Sequence, residues 1–156
     1  MGIWLSLISE SYIPKRSFYD KDGLIMSRRE AREQAFILIF EKSFQPEIDV
    51  AELVEYAKEN EIFVADKYAV GLVNNTYDNL EKIDEMITGN LKGWSSSRIS
   101  KITRAILRMA VCEMLYYEDV PTGVAINEAV EVAKKFAADD EPSYINGVLG
   151  SISKSL

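Results

Sequence analysis

Apolar side chains recur at three- and four-residue steps along the chain after Met26, and this spacing limits the fold more than any other feature. The run AFILIF at 35–40 is apolar on every side, which is typical of a buried central helix. Alternation of apolar and polar residues, which marks a half-buried strand, is not sustained in any segment. The sequence therefore predicts an all-α fold of about six or seven helices.

Capping residues mark where the first two helices begin. Ser27 followed by Glu30 forms a capping box ahead of the first helix, which is expected to end at the Gln-Pro pair at 45–46. Asp49 with Glu52 repeats this arrangement before a short amphipathic helix.

A longer helical pattern runs from Val64 to Ile87. Gly71 and the asparagines at 74–75 are weak helix formers within it, so we expect a bend at these residues. The later helices have apolar faces at 99–114, at 126–136 (Ile126, Ala129, Val130, Ala133 and Phe136) and at 145–152 (Ile145, Val148, Leu149 and Ile152).

Residues 1–25 have no sustained periodicity. The apolar segment 3–8 is too short for a bilayer, which needs about 20 residues, and no basic segment precedes it as in a signal peptide. We interpret 1–25 as a poorly specified N-terminal extension before a helical domain over 26–156. The alternative is a real arm that packs Trp4 and Leu5 on the body.

The chain contains no histidine and one cysteine, Cys112. Ser–His and Cys–His nucleophile pairs and His-ligated zinc are thereby excluded, and one cysteine supports neither an internal disulfide nor a cysteine metal cluster. This cysteine usage suits a reducing cytoplasm. We therefore expect a cytoplasmic protein without a cofactor or metal site, and we do not expect a hydrolytic or redox enzyme.

The distribution of charge is uneven. The net charge of −7 argues against a uniformly basic surface for nucleic acid, but residues 36–90 alone hold twelve acidic and four basic side chains. An arginine cluster, formed by Arg28, Arg29 and Arg32, lies on one turn at the start of the first helix. Three arginines there oppose the helix macrodipole. A sequence that keeps three arginines at this unfavourable position is consistent with binding of an anionic partner. A solvated helix end, paired with nearby glutamates, is the simpler interpretation.

A second basic stripe is formed by Arg98, Lys101, Arg104 and Arg108. A solvated helix face is the default interpretation of such a stripe. Arg108 lies among apolar neighbours, which predicts an internal ion pair for it. An RNA contact by this stripe is the weaker alternative.

Three segments, in this order along the chain, resemble one protein family. They are RREAREQAFILIFE at 28–41, AILRMAVCEMLY at 105–116 and VPTGVAINEAVEVAKKFAADDEPSYINGVLGSI at 120–152. These segments are similar to the first helix, the middle helix and the C-terminal signature of the NusB family of bacterial transcription antitermination factors. The spacing between them also matches, so the resemblance covers residues 27–154.

The resemblance implies a compact helical fold of two small bundles without enzymatic activity. NusB proteins bind boxA-type single-stranded RNA of ribosomal RNA operons together with NusE, a small-subunit ribosomal protein, within an RNA polymerase antitermination complex. By matching position, the resemblance assigns RNA contacts to Arg28, Arg29, Arg32, Asp140 and Tyr144. Arginine grips phosphate, an exposed tyrosine stacks on an unpaired base, and a carboxylate accepts from a base amino group.

Each residue of the C-terminal signature also has a simpler interpretation. Tyr144 suits core packing beside Val148, and Asp140 suits a helix cap alone. Asn127 and Asn146 are expected to satisfy buried polar groups rather than to touch a ligand.

The resemblance also implies a surface for NusE on the first and middle helices, at Phe40 and Thr103. Phe40 equally suits the core, and Thr103 replaces an acid that relatives often carry, which argues against a salt bridge to NusE there. The acidic residues at 47–85 still suit a basic ribosomal protein. The alternative function is a homodimeric helical interaction module without stable RNA binding. An appendage of an RNA methyltransferase is disfavoured, because no glycine-rich nucleotide loop occurs.

Overall fold

The structure is a computed structural model that describes residues 19–20, 23–24, 27–59, 66–91, 93 and 98–156. Within these residues it has seven helices, and they confirm the predicted all-α fold class. The helices are α1 (Arg28–Lys42), α2 (Val50–Glu59), α3 (Lys67–Asp78), α4 (Leu80–Thr88), α5 (Lys101–Tyr116), α6 (Thr122–Phe136) and α7 (Glu141–Ser153). In the described ranges, no helix is both long and apolar enough to cross a membrane.

A short antiparallel pair of strands, β1 (Tyr19–Asp20) and β2 (Gly23–Leu24), precedes α1, with Tyr19 opposite Leu24. The rest of the predicted extension over 1–25, including Trp4 and Leu5, lies outside the described residues. The boundary at residue 26 therefore stays a prediction.

The capping box at the start of α1 is confirmed. The Ser27 hydroxyl accepts from the Glu30 backbone N–H at 3.1 Å, and the Glu30 carboxylate accepts from the Ser27 backbone N–H at 3.1 Å. From Ala31 onward every residue of α1 is buried, as the run of apolar residues predicts. At its other end, Lys42 donates to the carbonyls of Pro46 and Ile48, which stabilises the turn after the helix.

Replacing Ser27 with alanine is expected to lower the free energy of unfolding by about 1 kcal/mol, because the Glu30 N–H loses its acceptor. Urea denaturation followed by circular dichroism measures the change. Ser143→Ala, at an exposed position of α7, is the control and should change stability by less than about 0.5 kcal/mol. Equal losses in the two variants would contradict a stabilising role for the capping box.

The long helical pattern is interrupted at Asn79, whereas Gly71 and residues 74–75, where a bend is predicted, lie inside α3. The Asn79 backbone, at φ −120° and ψ 21°, leaves the helical region between α3 and α4. Its side-chain amide donates to the Asn75 carbonyl at 2.8 Å, a local side-chain bond of the kind that competes with continued helix. Asn75 remains inside α3, where its own amide donates to the Tyr117 hydroxyl at 2.9 Å.

The chain forms two compact units, Met1–Val73 and Asn74–Leu156, and the boundary falls within α3. In the first unit α1 packs against α2. In the second, α6 packs against α5 and α7, and α4 also contacts both α5 and α7. The largest fully buried side chains of this second unit are Ile83, Ile87, Ile106, Leu107, Met109 and Ile145. These two units agree with the two bundles that the family resemblance implies.

The buried face of α6 differs in part from the predicted one. Ala125, Ala129, Val132 and Ala133 are buried, whereas Ile126, Val130 and Phe136 are half-buried. Small residues therefore line the buried face of this helix, which suits close packing against two neighbours. The face predicted for α7 is confirmed, since Ile145, Val148, Leu149 and Ile152 are all buried.

Candidate nucleic-acid interface

The arginine cluster lies at the N-terminus of α1, and the capping box fixes where that helix begins. Arg28 is the first helical residue, and Arg28 and Arg29 are exposed to solvent. Arg32 is only 5% exposed. The carboxylate of Glu30, the acidic residue of the first turn, is engaged by the Ser27 backbone. Two of the three predicted arginines are therefore exposed at the surface.

An aromatic ring of α3 contacts this cluster from within the same unit. The guanidinium carbon of Arg28 lies 4.0 Å from the centroid of the Tyr68 ring, and that of Arg32 lies 5.9 Å from it. Both distances are within the range of cation–π attraction. The sequence places Tyr68 on a helical face but contains no sign that its ring meets arginines about 40 residues earlier.

The turn that enters α7 is held by Glu141 and not by Asp140. The Glu141 carboxylate accepts from the Ala138 N–H at 2.9 Å and from the Ser100 hydroxyl at 2.8 Å. Asp140 occupies the cap position, but its side chain makes no capping hydrogen bond and is exposed. The interpretation of Asp140 as a helix cap alone is therefore wrong.

Tyr144 lies half-buried in the first turn of α7. Its hydroxyl donates to the Leu91 carbonyl at 3.2 Å, which ties α7 to the residues after α4. Burial raises the pKa of this hydroxyl above its ordinary value, so it remains a protonated donor at neutral pH. The ring is thus anchored at its polar end and is partly open to solvent.

Asn127 and Asn146 are both exposed, so the prediction that they satisfy buried polar groups is wrong. Each lies outside the apolar face of its helix, α6 for Asn127 and α7 for Asn146. Other asparagines make the buried connections instead: Asn90, for example, accepts from Ser151 at 2.9 Å. A ligand could therefore reach the two side-chain amides of Asn127 and Asn146. Residue type alone does not reveal this exposure.

The second basic stripe divides into an internal pair and an exposed part. Arg108 binds Asp84 through two hydrogen bonds of 2.8 Å, which confirms the predicted ion pair. Burial is the main cause that raises the pKa of the neighbouring Tyr77 to about 12. The charge of Arg108 and its hydrogen bond to the Tyr77 hydroxyl act in the opposite direction. Burial and then the charge of Arg108 lower the pKa of Arg104. Arg98 and Lys101 are exposed.

The two predicted partner residues, Phe40 and Thr103, are buried. The Phe40 ring stacks on Phe36 at 6.0 Å and meets Phe44 edge-on at 5.1 Å, as core packing requires. Thr103 is 1% exposed, and its hydroxyl has no hydrogen-bond partner among the described residues. Since neither side chain offers much surface, the partner role stays a prediction at both positions.

Comparison with known proteins identifies the family. The model of the NusB family matches residues 29–154. The transcription antitermination protein NusB of Natranaerobius thermophilus is 41% identical over 135 residues, which cover 84% of this chain and 97% of that protein.

Two solved structures are similar to this one. NusB from T. maritima superposes with a TM-score of 0.72 at 31% identity, over 84% of this chain and 93% of that one. A crystal structure of the antitermination factors NusB and NusE in complex with double-stranded RNA gives a TM-score of 0.71 at 27% identity. The match covers 83% of this chain and 97% of the chain in that structure. The chain therefore belongs to the NusB family.

Proposed function

We propose that this chain is a cytoplasmic transcription antitermination factor. It binds boxA-type single-stranded RNA together with NusE, within an RNA polymerase complex on ribosomal RNA operons. Its family supports the antitermination role, and the solved complex of NusB and NusE with double-stranded RNA supports both partners. The observation that carries the proposal is the exposed pair Arg28 and Arg29 at a capped helix start, in a chain of net charge −7.

The exposed arginines bind the RNA backbone. An arginine presents a fork of N–H donors that matches two phosphate oxygens, and each phosphate contact releases counterions. The acidic segment at 36–90 repels phosphate, so non-specific RNA gains little by contacting the remainder of the chain. Affinity is thereby concentrated in one small patch.

Base recognition is assigned to the turn into α7. The partly open Tyr144 ring stacks on an unpaired base, while the exposed Asp140 carboxylate accepts from a base amino group. Asp140 is suited to this role because Glu141 already holds the turn. The acidic residues at 47–85, in turn, attract a basic ribosomal protein.

The proposal is tested by measuring the affinity for a boxA-type RNA with and without the NusE homologue of the host. We expect NusE to strengthen binding, by about tenfold or more, because the RNA then contacts both proteins. Unchanged affinity on addition of NusE would contradict the proposal.

The oligomeric state separates this function from the homodimeric alternative. Light scattering should give a monomer that forms a one-to-one complex with NusE and then binds RNA. A stable dimer that persists in the presence of RNA and NusE would favour the interaction module instead.

Tyr144→Leu is expected to reduce discrimination between boxA-type and scrambled RNA, because leucine cannot stack on a base. The loss corresponds to about 1–3 kcal/mol of stacking. Tyr144→Phe keeps the ring and loses only the bond to Leu91, so it should keep discrimination at a small cost in stability. Fluorescence anisotropy with both RNAs measures this, and equal discrimination in the leucine variant would contradict the role assigned to Tyr144.

A further inference from the structure

The contact between Arg28 and Tyr68 differs from the usual way in which a surface arginine is held. At 4.0 Å from guanidinium carbon to ring centroid, the two groups are in van der Waals contact. Within the described residues, Arg28 makes no salt bridge, and the nearby Glu30 carboxylate is engaged by the Ser27 backbone. An aromatic ring rather than a carboxylate therefore holds this cation.

The nature of that contact decides what the arginine can still bind. A carboxylate partner would occupy the N–H donors of the guanidinium, which are the groups that phosphate needs. An aromatic ring attracts the cation through its π face and leaves those donors open. Arg28 as a whole is exposed to solvent.

The ring also offsets an unfavourable electrostatic position. Arg28 lies at the positive end of the α1 macrodipole and close to Arg29 and Arg32 on the same turn. Without a fixed contact, repulsion and side-chain entropy would disperse these long side chains. The ring centroid lies 4.0 Å from the guanidinium carbon of Arg28 and 5.9 Å from that of Arg32. The ring is therefore close to two members of the arginine cluster.

We propose that Tyr68 is a positioning residue for RNA binding: it holds the Arg28 guanidinium in place with its N–H donors free for an RNA phosphate. This inference rests on the proposed function, since it concerns the same arginine cluster. The RNA contacts implied by the family resemblance lie at the starts of α1 and α7. The inference adds a residue of α3 to this site. The effect acts through Arg28, so it is independent of base sequence.

The test is a double-mutant cycle for binding of a boxA-type RNA in the presence of NusE. Tyr68→Leu should weaken binding roughly 3- to 10-fold, while Tyr68→Phe, which keeps the ring, should stay within about twofold of the wild type. In an Arg28→Gln background, Tyr68→Leu should have no further effect. A ring that only stabilises the fold would instead give the same loss in both backgrounds, and this outcome would overturn the inference.

Two controls make the result unambiguous. Tyr116→Leu removes another cation–π contact, since Lys82 lies 5.8 Å from the Tyr116 ring, and its effect on RNA affinity should be the same in the wild-type and Arg28→Gln backgrounds. If circular dichroism shows that Tyr68→Leu is unfolded, Tyr68→Met, whose longer and unbranched side chain adapts better to the space left by the ring, enters the same cycle. A wild type that binds no RNA with NusE present would overturn the proposed function together with the inference. An Arg28→Gln loss without a Tyr68→Leu loss would overturn the inference alone.

Discussion

Replacing Arg28 and Arg29 together with glutamine is expected to weaken binding of boxA-type RNA on the order of 100-fold, because two charge-assisted contacts to phosphate are lost. Both side chains are exposed at the start of α1, so their loss should leave the fold intact. The dependence of affinity on salt should also flatten. For single strands each phosphate contact contributes about 0.7 to the slope of log K against log salt, so the slope should fall by about 1.4. Anisotropy titrations over a salt series measure both quantities.

The matched control removes the same charge from another helix. Lys134 and Lys135 are exposed in the last turn of α6, and their replacement by glutamine lowers the net charge equally. We expect this control to change affinity by less than about threefold, since Lys134 is already paired with Glu131 and neither lysine is assigned a contact with RNA. If both double variants lose affinity equally, net charge and not the arginine cluster governs binding.

Asp84→Asn is expected to destabilise the protein by about 1–3 kcal/mol, because it leaves the Arg108 guanidinium without its carboxylate partner. The Arg108 side chain is 14% exposed and the Asp84 side chain 31% exposed, so the effect should be smaller than for a fully buried pair. The charge of Arg104 adds to the cost, because Asp84 offsets the repulsion between Arg104 and Arg108. Urea denaturation measures the loss.

An exposed ion pair is the matched control for that substitution. Glu131 pairs with Lys134 at 3.0 Å on the solvent side of α6, and Glu131→Gln should change stability by no more than about 0.5 kcal/mol. RNA affinity of the folded Asp84→Asn variant should remain that of the wild type, since the pair is internal. A stability loss no larger than that of Glu131→Gln would contradict the structural role of this pair.

Local signals predict much of the fold. The Ser27 cap, the buried run in α1 and the apolar face of α7 each depend on residues within a few positions of one another, and each is confirmed. The helix break at Asn79 is not predicted, because helix propensity points to Gly71 as the weak position. The break instead accompanies a side-chain bond from Asn79 to the Asn75 carbonyl. In α6, close packing selects small residues over the larger apolar ones that periodicity favours.

The sequence predicts which residues belong to the candidate site, but not the contacts that these residues make. The arginine cluster is visible in the sequence, but the burial of Arg32 and the contact with Tyr68 depend on a helix about 40 residues further along. Similarly, Glu141 and not Asp140 holds the turn into α7, through a bond to Ser100 that no local pattern indicates. Sequence periodicity shows which residues share a helix face, but not which faces meet.

We propose that this chain, together with NusE, recognises a specific RNA sequence. The most direct test is the ratio of its affinities for a boxA-type RNA and a scrambled RNA of equal length and composition, at one salt concentration with NusE present. We predict that the boxA-type RNA binds about tenfold tighter or more, because base contacts add to the phosphate contacts that both RNAs share. Equal affinities for the two RNAs would contradict the account.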